Sequence, residues 1–398
     1  MFTREQHQLL MVKQPVWDTE PVSPTTGILV GMLPATNIDT SRNKLQNQQV
    51  FADGFEREFA LGNYLSAGAL QIVPNLLSLG HYIKGLCGQD TVNNTVYTCT
   101  VTAGGSAYVA PVVAFTGGTL ASGGAAATAI ATMVGGVITG IVVTYPGVYT
   151  VVPSAVTITG APGVGATATL TAGFCHQMGL GNGNQVALYT FEDGIPVANN
   201  YIRVLSHVFE KLSLGLTVEG IMSASFTTVG SGVFNINSPG GAPYAASIQP
   251  SAAEIIGTPI EYANLTTLEA GTDPGTILEH KYDIARKVVQ KRNQGKGGKA
   301  ADAKYGLSVV SGTLIQYYET DAQWAKARNG TITSLQNNIV AGNDQLQVLQ
   351  PEVKLEPADY KTDSDVGIRQ EFKYSSIKKA NANSPILFTL FNSVPTYP

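Results

Sequence analysis

The sequence predicts a mainly β protein made of two tandem copies of one domain, and three observations predict it. Residues 63–88 (NYLSAGALQIVPNLLSLGHYIKGLCG) line up with residues 305–330 (YGLSVVSGTLIQYYETDAQWAKARNG). Allowing a two-residue shift, Gly68-Ala-Leu falls on Gly312-Thr-Leu, and Tyr82 then falls on Trp324, Lys84 on Lys326 and Gly88 on Gly330. A second pair follows in the same order, Leu212-Ser-Leu-Gly-Leu ahead of Gly220-Ile-Met-Ser-Ala-Ser-Phe226 and Pro351-Glu-Val-Lys-Leu355 ahead of Gly367-Ile-Arg-Gln-Glu-Phe372. Two ordered matches are the signature of a duplicated β-rich domain. Third, only 13% of residues are charged while 43 are glycine, a balance that suits short strands, tight turns and surfaces covered by other subunits.

The elements follow in order. Residues 1–24 read as a polar arm punctuated by Pro15, Pro21 and Pro24, with Trp17 as its anchor; such an arm is ordered by packing on something else, here a neighbouring subunit. Strand-like sequence starts at Gly27-Ile-Leu-Val. A mixed-charge stretch from Arg42 to Phe59 then precedes the repeated strand. In the second copy the matching stretch, Tyr282 to Lys304, is strongly basic. Both are expected to be long hairpins or loops leaving the same place on each copy.

Each repeated strand leads to a short helix, entered at Pro74-Asn75 and at Thr320-Asp321. Leu76, Leu79 and Ile83 sit at helical spacing to pack on a sheet, with Tyr82 and Trp324 as large anchors. Between the copies lies a nearly chargeless block, Thr98 to Ala172, with its own shorter repeat. Tyr108, Gly117 and Gly124 recur as Tyr149, Gly160 and Gly165, a period of about 41 to 43 residues. The block reads as a small β-domain inserted into a loop of the first copy. The first copy then takes residues 25–97 and 173–240, and the second takes 241–398.

Charge and residue inventory exclude several functions. A net charge of -4 argues against a basic nucleic-acid face. Cys87, Cys99 and Cys175 form no CxxC pair, as expected for a reducing cytosol. Neither a signal peptide nor a membrane span is expected. His7, His81, His176, His207 and His280 are scattered without zinc spacing, Gly179–Gly183 lacks phosphate-loop spacing, and Glu192-Asp193-Gly194 and Asp359–Asp365 lack the calcium-loop pattern and read as solvated turns. No metal or cofactor is expected. No paired carboxylates suggest a hydrolase, so an enzyme is not expected.

The segment Tyr201 to Gly230 (YIRVLSHVFEKLSLGLTVEGIMSASFTTVG) resembles the tail tube proteins, or major tail proteins, of long-tailed bacteriophages. Gly62–Gly88 is similar to that family's strand-then-helix stretch, and Leu387-Phe-Thr-Leu-Phe-Asn392 to its closing strand. The resemblance covers nearly the whole chain outside Thr98–Ala172. That block is itself similar to Gly- and Tyr-rich modules of phage structural proteins.

The resemblance implies two β-sandwich or half-barrel domains, each with a flanking helix, and an inner sheet that joins those of neighbours around a channel. The partner is then the protein itself. A trimeric ring is favoured, because two copies per chain give six equivalent domains; a hexameric ring is the alternative. Rings would stack into a tube in the virion, assembled in the host cytoplasm. Tape measure, tail terminator and tip proteins would be neighbours, and DNA would pass through the lumen without specific binding. The loops expected to meet the adjacent ring carry Arg42, Lys44, Asp53, Glu56, Arg57, Arg286, Lys287, Lys291, Arg292 and Lys296. The competing expectation is a capsid decoration or tail fibre protein, suggested by the Gly-rich block.

Overall fold

Alternation of apolar and small polar residues gives most strands one buried and one open face, and the computed structural model assembles them into a mainly β molecule with two short helices. It describes residues 7–22, 27–31, 33–34, 36–45, 60–181, 186–217, 221–237, 241–252, 254–261, 265–274, 277–356, 360–363, 367–378 and 384–397.

The first copy runs β1 (Gln8–Gln14), β2 (Gly27–Leu29), the hairpin β3 (Asn37–Leu45) and β4 (Ala60–Ile72), helix α1 (Leu79–Cys87) and β5 (Thr91–Ser106). The insertion carries β6 (Val112–Thr116), β7 (Thr119–Leu120), β8 (Thr128–Val134), β9 (Val137–Tyr145), β10 (Tyr149–Val151) and β11 (Ala155–Thr159). β12 (Val164–Gly179), β13 (Leu188–Ile195), β14 (Asn200–Thr217), β15 (Ser223–Gly230) and β16 (Phe234–Asn235) complete it. The second copy runs β17 (Leu265–Glu269), the hairpin β18 (Ile277–Arg292) and β19 (Ala300–Tyr317), helix α2 (Ala322–Asn329), then β20 (Ile332–Ala341), β21 (Asp344–Leu355), β22 (Tyr360–Asp363), β23 (Gly367–Ser376) and β24 (Leu387–Asn392).

The two copies share their registers. Gly68 lies opposite Ile38 and Thr228, and Leu70 opposite Phe226; in the second copy Gly312 lies opposite Tyr282 and Tyr374, and Leu314 opposite Phe372. Even the β-bulge recurs, between Arg42 and Lys44 in β3 and between Arg286 and Val288 in β18. Both central glycines are sites of close approach. A Cβ on Gly68 would lie 2.4 Å from Thr228 Oγ1, and one on Gly312 would lie 2.2 Å from the Lys281 carbonyl. Each helix ends on a left-handed glycine, Gly88 at φ 78° and Gly330 at φ 62°, a backbone that glycine adopts without a Cβ penalty.

The copies meet edge to edge. Lys211–Thr217 of β14 pair with Glu279–Ala285 of β18, so one antiparallel sheet runs β3-β4-β15-β14-β18-β19-β23-β22. β14 serves a second sheet through its first half, which pairs with β13 and β16. It changes sheets at buried Ser206, at φ 57°. The Gln14 side chain holds this corner, accepting from Ser206 N–H at 2.7 Å and donating to Ser206 Oγ at 2.9 Å. β24 of the second copy lies between β12 of the first and β21 of the second, so it bridges the copies. Leu70, Leu79, Phe226, Ile284, Leu314, Leu346, Phe372 and Phe388 belong to one continuous core that both copies share.

Several expectations are corrected. The N-terminal arm contains a strand: β1 pairs with β13 and β2, and Leu9 to Val12 are buried. A run of four apolar residues between Gln8 and Lys13 carries no alternation, which hid the strand. The insertion has no sharp border at Thr98 or Ala172, because β5 and β12 run unbroken from the host sheet into it. Its base also leans on the second copy, with Tyr145 edge-on to Phe391 at 5.6 Å and Tyr97 donating to Asp344 at 3.0 Å. Asn75 caps a turn before the helix, accepting from Leu77 and Ser78 N–H, and the helix proper starts at Leu79. Glu192-Asp193-Gly194 lies within β13, where buried Glu192 accepts from Arg203 at 2.7 Å, and is no turn.

Candidate functional site

The side of the eight-stranded sheet away from the core is lined by small and polar groups. Ala67, Ala69, Ser225, Thr227, Ser213, Ser311 and Thr313 share one side through their cross-strand pairing. Its charges are mixed: Asp39, Glu279, Asp283 and Glu371 against Lys211, Lys281, Lys373 and Arg369. Lys211 lies 3.3 Å from Asp283, and Lys281 pairs with Glu279. Among the described residues both signs are interspersed on this side, whereas a face that grips phosphates concentrates positive charge.

Two strand edges bound this sheet. Among the described residues β3 pairs only with β4, and β22 only with β23. An edge presents a row of backbone donors and acceptors ready for another strand.

The expected stacking residues fall into distinct places. Lys287 and Lys291 are exposed on one side of β18, and Lys296 is exposed in the turn after it. Arg42 and Lys44 are exposed on β3; Arg42 donates to the Leu61 and Gly62 carbonyls at 3.2 Å and lies 4.7 Å from the Tyr64 ring centre. Asp53, Glu56 and Arg57 lie outside the described residues.

Arg286 is the correction: it is buried, not displayed. Its guanidinium crosses the junction between copies and donates to the Leu86 carbonyl at 2.6 Å, Cys87 at 2.9 Å and Gly181 at 2.9 Å. It stacks on Tyr305 at 3.6 Å, and burial lowers its pKa from the ordinary arginine value. The carbonyls at a helix end carry partial negative charge, and Arg286 satisfies them for α1. Arg292 is half-buried and also turned inward, donating to the Tyr64 carbonyl at 2.9 Å. Tyr64 N–H donates to the Gly298 carbonyl at 3.0 Å, so the turn end of the β18–β19 hairpin lies on the first copy.

The same end of α2 is open. A cavity of about 480 Å³ lies there, lined by Arg328, Asn329, Lys354, Glu356, Ser375 and Ile377 among others. Trp324, the counterpart of fully packed Tyr82, is only partly buried, with Arg328 over its ring at 5.1 Å.

Charge-based reading also missed the apolar part of the surface. Leu45 and Val289 are 55% and 52% exposed, and Leu65 and Val309 are 46% and 48% exposed, at equivalent positions of the two hairpins. Repeated exposed aliphatic residues mark contact surface better than scattered ones, and placing both hairpins in register before counting charges would have found them.

Elsewhere the chemistry is structural. His207 and His280 are pushed down to about 3 and about 4 by burial, which keeps their rings neutral near pH 7. All three cysteines are free and buried. Among the described residues no His, Cys, Asp and Glu group is arranged for a metal ion, and no helix is long and apolar enough to cross a membrane. No protein-family model matches the chain, and no curated protein matches its sequence.

Proposed function

We propose that the protein is a structural subunit that closes into rings, stacked as the tube of a long phage tail. The observation that carries this reading is the joint inside the chain. Two equivalent half-sheets meet through seven residue pairs between β14 and β18, and the strands equivalent to these, β22 and β3, each pair on one side only among the described residues. A chain that has already made one such joint internally has the parts to make it again with its neighbour. Identical head-to-tail joints close a ring when the rotation allows, and three chains place six half-sheets around it. The small, mixed-charge side of the sheet then faces the channel and lets DNA slide. The insertion extends the β5–β12 strand pair of the first copy, which suits an accessory on the outer wall better than a fibre repeat.

Electron micrographs and light scattering of the purified chain at micromolar concentration test this. Rings of three 41.8 kDa chains, or tubes of stacked rings, are expected. A stable monomer without tubes would overturn it.

A further inference from the structure

The joint inside the chain also specifies the joint between chains, and the cavity at α2 is its second half. In the first copy, the α1 end, the end of β15 and Gly181 form a seat filled by the β18–β19 hairpin. Arg286 binds the Leu86, Cys87 and Gly181 carbonyls, Gln290 Nε2 donates to Gly230 at 2.6 Å, and Ala300 N–H donates to Ser231 at 2.9 Å. The cavity at α2 is bounded by the counterparts of those groups: Arg328 and Asn329 at the helix end, Ser375 and Ile377 at the end of β23, and Glu356. It is the same seat without its hairpin. The first copy's own hairpin, β3–β4, is the element equivalent to the one that fills the seat at α1, and it carries Arg42 at the bulge where β18 carries Arg286.

We infer that a second copy of this chain docks here: its β3 pairs antiparallel with β22, and its Arg42 enters the cavity at the C-terminal end of α2. This names the partner contact of the proposed ring and rests on that reading. The register follows from the internal joint. Leu214 faces Tyr282 across β14 and β18, Tyr282 is equivalent to Ile38, and Tyr360, opposite Gln370 in β23, takes the place of Leu214, opposite Ala224 in β15. Ile38 of the incoming strand therefore lies opposite Tyr360, and Asn37 opposite Lys361.

Arg42 is suited to the move. It is exposed, its two hydrogen bonds are long, and a planar guanidinium can donate to two carbonyls at once. Lys354 now reaches toward the helix end, its Nζ 3.2 Å from where a Cβ on Gly330 would stand. It is exposed and flexible, and it is the group the guanidinium displaces, while Glu356 at the rim supplies the opposite charge.

The test uses the full chain carrying Ile38→Cys with Tyr360→Cys and a short bifunctional thiol reagent; the native cysteines are buried and do not compete. Cross-linked dimers and trimers are expected, with none for Ser41→Cys paired with Tyr360→Cys, which is out of register. In parallel, Arg42→Ala is expected to leave the monomer's unfolding midpoint unchanged and to raise the concentration for half-assembly about tenfold, with Arg42→Lys between. Rings that form without the 38–360 cross-link, or that tolerate Arg42→Ala, would overturn this contact and leave the ring reading standing. A chain that stays monomeric would overturn both.

Discussion

The C-terminal ends of α1 and α2 are the same structure in two states of completion. At α1 the carbonyls of Leu86 and Cys87 are bound by Arg286 from the other copy, and Tyr82 is buried against Phe209 and Phe226. At α2 the matching residues, Arg328 and Asn329, line a cavity, and Trp324 is only partly buried. The helices differ as their settings do. α1 buries eight of nine residues, whereas α2 buries only Ala327. One end of the duplicated unit is filled from within the chain, and the matching end borders a cavity.

The largest difference between the ends is expected from their aromatic anchors. Tyr82→Ala removes a ring packed on two phenylalanines and should cost about 3–5 kcal/mol, the range for large-to-small core changes. Trp324→Ala, at the half-covered end, should cost about 1 kcal/mol in the isolated chain. Urea unfolding of each variant measures both, and equal losses would break the comparison.

Arg286→Ala comes next. It leaves three carbonyls without their donor in a buried site, at about 1–3 kcal/mol for each group left unpaired, so a loss of about 3 kcal/mol in unfolding free energy is expected. Its counterpart, exposed Arg42, should change monomer stability by less than about 0.5 kcal/mol when truncated. A stable Arg286→Ala chain would mean that the internal junction does not depend on its cap.

The smallest effect is graded by pH and tests whether the copies are matched in their interiors. In each, the residue opposite the central glycine is held by a buried histidine: Thr228 by His207 at 2.9 Å, and Tyr374 by His280 at 2.6 Å. Their folded pKa values, about 3 and about 4, lie below the ordinary 6.5. The unfolded chain therefore binds more protons between those values. Stability is full above about pH 6.5 and falls as the pH drops toward 4, by at most about 1.4 kcal/mol per pH unit for each histidine. His207→Gln should flatten that slope by one proton, as should His280→Gln, in denaturation series between pH 6.5 and 5. An unchanged slope would show that the ring concerned is already charged when folded.

The amino-acid sequence by itself determined the β class, the repeated strand–helix–turn unit, its two glycine caps and the core-facing Leu76, Leu79 and Ile83. These rest on short-range physics: two-residue and helical periodicity, and the need for a residue that tolerates positive φ at Gly88 and Gly330. Only the tertiary structure decided the burial of Arg286, the entry of β1 into a sheet, the fusion of two copies into one core and the identity of the free edges. In sequence Arg286 is one of many cations in a basic stretch. Its fate turns on a helix end some two hundred residues away, and a basic side chain goes inside only where acceptors brought by other elements await it. The equivalence of β3 and β18 was hidden likewise, since exposed and buried strands share a register and a bulge but not their side chains. Backbone pairing is preserved by hydrogen-bond geometry, while residue identity follows whichever surface each strand meets.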